Sequence, residues 1–157
     1  MENENEIVEN LNKFLKEGLV KATVPRPRRI FVYVKKDALR DAVKHLTKDL
    51  EFKHMSTVTG VDLGEKIEVI YHLAHKGSIV ASIRLSVSKK NPSVPTVTDL
   101  VPGAVLYERE VHDLFGVNFK GHPDLSPLML PEGWPKGVYP LRKEHELERL
   151  REMTSKK

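Results

Sequence analysis

The sequence predicts an α+β fold: a two-layer sandwich with a mainly antiparallel four-stranded sheet, helices on one face, and an extended Pro-rich C-terminal arm. Three observations carry this. Residues 78–88 alternate clearly, with Ile79, Ala81, Ile83, Leu85 and Val87 inward and Ser78, Ser82, Arg84, Ser86 and Ser88 outward. Such a strand has one wet face and belongs in a sheet packed on one side. Helical spacing of apolar residues instead marks 3–17, 38–50 and 103–115, so the order runs α-β-α-β-β-β-α. Finally, residues 117–140 hold five prolines and three glycines, yet also Phe119, Leu125, Leu128, Met129, Leu130, Trp134 and Tyr139. Neither helix nor strand runs far through such a stretch, and a flexible linker lacks its apolar content.

Taken in order, helix 3–17 carries the stripe Ile7, Leu11 and Phe14/Leu15, with glutamates early and lysines late, as the helix dipole favours. Gly18 is its stop. Val24-Pro25-Arg26-Pro27-Arg28-Arg29 reads as a rigid basic connector, a solvated loop or else a docking patch for an acidic partner. Ile30-Phe31-Val32-Tyr33-Val34 is a strand apolar on both faces. Asp37 is the expected cap of helix 38–50, which turns Ala38, Leu39, Ala42, Val43, Leu46 and Leu50 inward. Residues 52–62 form a β-branched strand, 62–65 a turn, and 66–75 a strand with Ile67, Val69, Tyr71 and Leu73 on one face. Lys76-Gly77 is a two-residue hairpin loop before 78–88. The crossover from strand 30–34 to strand 52–62 suits a parallel, right-handed connection. Connector 89–102 offers Thr98 as N-cap for helix 103–115, whose stripe is Ala104, Tyr107, Val111 and Leu114/Phe115, with Gly116 as left-handed C-cap. The division is an α+β domain at 1–116, a partner-docking arm at 117–143, and a charged helical or frayed tail at 144–157, where only Leu147, Leu150 and Met153 are apolar.

Composition narrows the function. The chain has no cysteine, which excludes disulfides, thiolate metal sites and a Cys nucleophile. No apolar run reaches transmembrane length, and the start Met1-Glu2-Asn3-Glu4 does not read as a signal peptide, so any membrane connection is expected to pass through a partner. A net charge of +4 is modest for a nucleic-acid binder. The many charges and loop prolines are compatible with a thermophile.

Residues 107–113 crowd Glu108, Arg109, Glu110, His112 and Asp113 onto a helix that also carries Tyr107 and Phe115. Charges so close to apolar surface need partners. His112, Asp113, His122 and Asp124 are the metal candidates, but they straddle a helix end and a loop and make no His-x-x-x-His. The carboxylates of Glu108, Glu110 and Asp113 splay around the helix and do not all reach one cleft. No phosphate loop is present. An RNA-binding sheet needs exposed aromatics, whereas strand 78–88 shows mostly serines and Tyr33 and Tyr71 read as core. What remains is an interaction protein. The alternatives are a soluble metal-binding domain or enzyme using His112, His122 and nearby carboxylates, and a basic RNA binder.

Tyr-Glu-Arg-Glu-Val-His-Asp-Leu-Phe-Gly-Val (107–117), Gly-His-Pro-Asp-Leu (121–125), Leu-Met-Leu-Pro-Glu-Gly-Trp (128–134) and Pro-Leu-Arg-Lys-Glu (140–144) together resemble the 30 kDa subunit family of respiratory complex I, the NADH–quinone oxidoreductase. The run from Val94 to Leu100 also looks like the family's approach to that helix. The family includes the equivalent subunits of archaeal membrane-bound [NiFe] hydrogenase and sulfane-reductase complexes. The resemblance implies a cofactor-free subunit of a peripheral arm on the cytoplasmic face of the cell membrane, held there by its partners. Those would be a hydrogenase-large-like catalytic subunit and iron–sulfur subunits, which would carry the iron–sulfur clusters and NiFe. It implies interface roles for Tyr107, Glu108, Arg109, Glu110, Asp113, Phe115, His122, Pro123, Asp124, Trp134, Arg142 and Lys143. Two departures, Ser126-Pro127 where complex I members usually carry an Arg pair and Val105-Leu106-Tyr107 where an aromatic often precedes the charged run, favour the hydrogenase or sulfur-reducing branch.

Overall fold

The computed structural model describes residues 3–76 and 78–155. Gly77 of the expected hairpin loop and the last two residues of the tail lie outside them. Helix α1 (Glu4–Leu15) opens with a capping box, in which the Asn3 side chain accepts from the Glu6 amide and the Glu6 carboxylate accepts from the Asn3 amide. Strands β1 (Leu19–Arg26) and β2 (Arg29–Val34) follow, then helix α2 (Leu39–Lys48) and strands β3 (His54–Asp62), β4 (Lys66–His75) and β5 (Ile79–Ser88). A short strand β6 (Ser93–Pro95), helix α3 (Ala104–Phe115), a short strand β7 (Asn118–Lys120) and helix α4 (Leu147–Thr154) complete the chain.

The main sheet has five strands, in the order β1-β2-β5-β4-β3, not the four expected. The extra strand is β1, where Pro25 and Pro27 suggested a connector. As an edge strand it tolerates proline, and its pairing with β2 is irregular between Thr23 and Arg26, where Pro25 sits. The expected crossover also lands elsewhere. Strand β2 pairs in parallel with β5, and α2 carries the chain past β5 and β4 to the far edge, where β3 pairs antiparallel with β4. A helical connection signals that strands cross over but not how many strands are crossed.

Helices α1, α2 and α3 bury one face of the sheet. Ile7, Leu11, Leu39, Leu46, Ala104, Val111 and Phe115 share a single core with Ile30, Val32, Ile67, Tyr71, Leu73, Ile83 and Leu85. The opposite face mixes polar and apolar side chains. There Arg84 makes a bidentate pair with Glu68 at 2.8 and 3.0 Å and lies over the rings of Phe31 and Tyr33. Tyr33 is therefore not core, whereas Tyr71 is. Ser82 points to this face as expected but is buried, bonded to His72.

Two expected caps are not made. Asp37 lies in a 3-10 turn ahead of α2 and makes no capping bond, and Thr98 is buried, bonded through its amide and hydroxyl to the Thr96 hydroxyl. Gly116 does cap α3, at φ +73°. The expected domain boundary at 116 moves as well. Val117 and Phe119 are core residues, and β7 pairs in parallel with β6. The segment that lies over the domain as irregular coil is 121–146. It passes across α3 and reaches the turn between β3 and β4.

Candidate partner-docking site

Helix α3 organises the site. Its inward face holds Glu108, which is fully buried. The carboxylate accepts hydrogen bonds from the Tyr71 hydroxyl at 3.0 Å, the Val97 amide at 3.0 Å and the Thr96 hydroxyl at 2.5 Å. Arg40 of α2 fixes the segment after β6 that supplies two of these donors by donating to the Thr96 carbonyl and to both oxygens of Asp99. Burial pushes the Glu108 carboxyl above its ordinary range, against the lowering effect of those three donors. Burial, with the Glu108 charge beside it, also raises the Tyr71 hydroxyl. The sequence made Glu108 a partner contact. The structure buries it inside the chain, bonded to Tyr71, Thr96 and Val97.

The outer face of α3 holds the coil. Arg109 donates to the Ser126 carbonyl at 2.5 Å, the Pro127 carbonyl at 2.8 Å and the Ser126 hydroxyl at 2.9 Å, and sits 3.7 Å from Asp124. One turn on, Asp113 accepts the amides of Leu128 and Met129 at 2.8 Å and that of Leu130 at 3.3 Å. His122 donates from Nε2 to the Val105 carbonyl and accepts at Nδ1 from the Asp124 amide, which defines its tautomer. His112 donates from Nδ1 to the Val117 carbonyl. The two histidines therefore serve the backbone at separate points. Among the described residues no group of three or more His, Asp or Glu is placed to hold a metal.

Farther along, Trp134 donates to the Val138 carbonyl, and Tyr139 packs on Gly116 so closely that a Cβ there would collide with the ring. Arg142 donates to the Phe115 carbonyl at 2.8 Å and stacks 4.5 Å over the Tyr139 ring. Phe115 is itself buried, on Gly60 of β3. The end of the coil is anchored by Asp62, which accepts from the Lys143 amide at 2.8 Å, the Gly64 amide at 2.8 Å and the Lys89 ammonium at 2.6 Å. Lys89 also pairs with Glu144. Burial alone would raise the Asp62 carboxyl, but these donors outweigh it and hold it at about 2.

Of the other residues the sequence singled out, Tyr107 and Glu110 are half-buried on α3, while Pro123 and Asp124 are exposed. Sequence reasoning missed Asp62, Lys89, Thr96 and Ser126. Asp62 reads locally as a turn residue, and its partner Lys143 lies 81 positions away. Between α3 and the coil runs a groove of about 640 Å³, lined in part by His112, Leu130, Trp134 and Tyr139. Leu106 of α3 and Met129 and Leu141 of the coil are each more than half exposed.

Fold and site together define a clasped α+β domain: three helices on one face of a five-stranded sheet, and a C-terminal coil pinned by ionised side chains to its own core helix. The chain belongs to the family of the respiratory-chain NADH dehydrogenase 30 kDa subunit, whose family model matches residues 32–150. It is 34% identical over 143 residues to a subunit of the F(420)H(2) dehydrogenase of Methanosarcina mazei, covering 89% of this chain and 90% of that protein. It is 40% identical over 121 residues to a subunit of the NADH-quinone oxidoreductase of Roseiflexus castenholzii, covering 72% and 67%. Among solved structures it is similar to a chain of the membrane-bound sulfane sulfur reductase, an archaeal respiratory membrane complex, with a TM-score of 0.82, 29% identity and coverage of 96% and 91%. It is also similar to a trypsin-resistant fragment of Nqo5, with a TM-score of 0.62, 28% identity and coverage of 76% and 98%. Among the described residues no helix is long and apolar enough to cross a membrane.

Proposed function

We propose that the chain is a cofactor-free scaffold subunit in the peripheral arm of a complex-I-like, membrane-bound oxidoreductase. It docks a hydrogenase-large-like catalytic subunit and iron–sulfur subunits on the cytoplasmic face of the membrane, and those partners carry the clusters, NiFe and the electron path. The observation that carries this reading is the end-to-end likeness to the sulfane sulfur reductase chain, which spans 96% of this chain and 91% of that one. The NADH-quinone relative covers only 72% of this chain and 67% of its own length, which supports the hydrogenase or sulfur-reducing type over the NADH–quinone type. A second reading, a complex that oxidises reduced F(420), is supported by the matched length of the Methanosarcina relative.

The docking surface runs along the outer side of α3 and the coil. Leu106, Leu128 and Met129 supply its apolar points, with Tyr107, Glu110, Pro123, Asp124, Trp134 and Lys143 around them. Deleting the chain from its native cells tests the proposal. Loss of the intact membrane complex on native gels, restored by the wild-type chain, is the expected result. An unchanged complex contradicts it. Elemental analysis of the purified chain separates the metal-binding alternative, which requires stoichiometric metal.

A further inference from the structure

We infer that the docking surface is preformed, and that Arg109 and Asp113 are internal positioning residues that latch it by gripping its backbone. The inference rests on the docking reading above and states how that surface is kept ready. The two side chains lie one turn apart on the same face of α3. Arg109 binds the carbonyls of residues 126 and 127, and Asp113 binds the amides of the next three residues. A guanidinium thus takes successive carbonyls and a carboxylate takes successive amides, each matching the polarity that the backbone offers at that point. Three consecutive amides converge on a single carboxylate oxygen only if 128–130 curl into a concave nest.

Asp113 is 6% exposed, and among the described residues no cation lies within ion-pairing distance of it. Its charge is balanced by the coil's own amides, so an open coil would leave a poorly solvated carboxylate on apolar surface. Closing the latch turns the side chains of 128 and 129 the other way, and Met129 is left 57% exposed. A segment that folded only on meeting its partner would have no such internal anchors.

Amide hydrogen exchange on the isolated full-length chain tests the latch. The amides of Leu128 and Met129 should exchange about 100-fold more slowly than in an unstructured peptide. Asp113→Ala should reduce that protection to less than about 10-fold while the sheet amides keep theirs. If Asp113→Ala does not fold, Asp113→Asn, which keeps one acceptor oxygen, should show a partial loss confined to 128–130. Free exchange of 128–130 in the wild type, or full protection in the variants that fold, overturns the latch. Met129→Asp separates the two readings. It should leave the amides protected but lose partners in pull-downs from native membranes. Retained protection with undiminished partner recovery would sink the docking reading and leave the latch standing.

Discussion

Glu108 ties the interior together by accepting from Tyr71, Thr96 and Val97. A buried carboxylate that receives three donors is tolerable, but three donors that lose their acceptor are not. Glu108→Ala is therefore expected to cost about 3 kcal/mol or more in urea unfolding, from the stranded Tyr71, Thr96 and Val97 groups and the cavity left behind. Glu108→Gln keeps the shape and one acceptor oxygen and should cost under about 1.5 kcal/mol. The pH dependence follows from the raised carboxyl. Between its ordinary value of 4.5 and its higher folded value the native state binds the extra proton, so this group's contribution declines as pH rises through that window. Glu108→Gln should flatten that decline in thermal melts recorded from pH 4 upward. Much of this residue's importance was legible in the sequence, since a charged residue inside an apolar stripe must find partners. Their identity was not, because Tyr71 lies 37 positions away.

At the scale of elements, α3 and the coil behave as one unit joined at Gly116. That residue holds a left-handed φ of +73° and leaves room for the Tyr139 ring. Gly116→Ala should cost about 2 kcal/mol and displace Tyr139, read as a lower melting temperature with changed near-ultraviolet circular dichroism. The far end of the coil depends on Asp62. Its folded value of about 2 lies below the ordinary 3.8, so its stabilising effect is complete above the ordinary value and is lost as pH falls toward 2. The stability gap between wild type and Asp62→Asn should be widest near pH 6 and nearly closed at pH 2.

The same contrast explains what the sequence revealed about these elements. Local signals stood out: the alternation of β5, the stripe of α2 and the cap of α3. Strand β1 was hidden by Pro25, whose missing donor matters little at a sheet edge. The coil was recognisable as ordered by its apolar residues, but its anchors are charges on backbone groups, and backbone groups leave no side-chain pattern to read.

For the whole molecule, the core is continuous from α1 to Phe119, the coil closes over it, and α4 adds no buried residue. Truncation after residue 146 should leave the melting temperature within about 2 °C of wild type, whereas truncation after residue 120 uncovers α3, strips Arg109 and Asp113 of their ligands and should lower it by about 10 °C or more. The chain devotes Asp62, Glu108, Arg109 and Asp113 to holding its own shape and leaves Leu106, Leu141 and Met129 outside. That distribution suits a subunit whose work is done by contact. The most direct test is quantitative mass spectrometry of what a tagged chain retains when gently purified from native membranes. Stoichiometric recovery of a hydrogenase-large-like subunit, iron–sulfur subunits and integral membrane proteins is the predicted result. Recovery of the chain alone, folded and stable, would contradict the scaffold account.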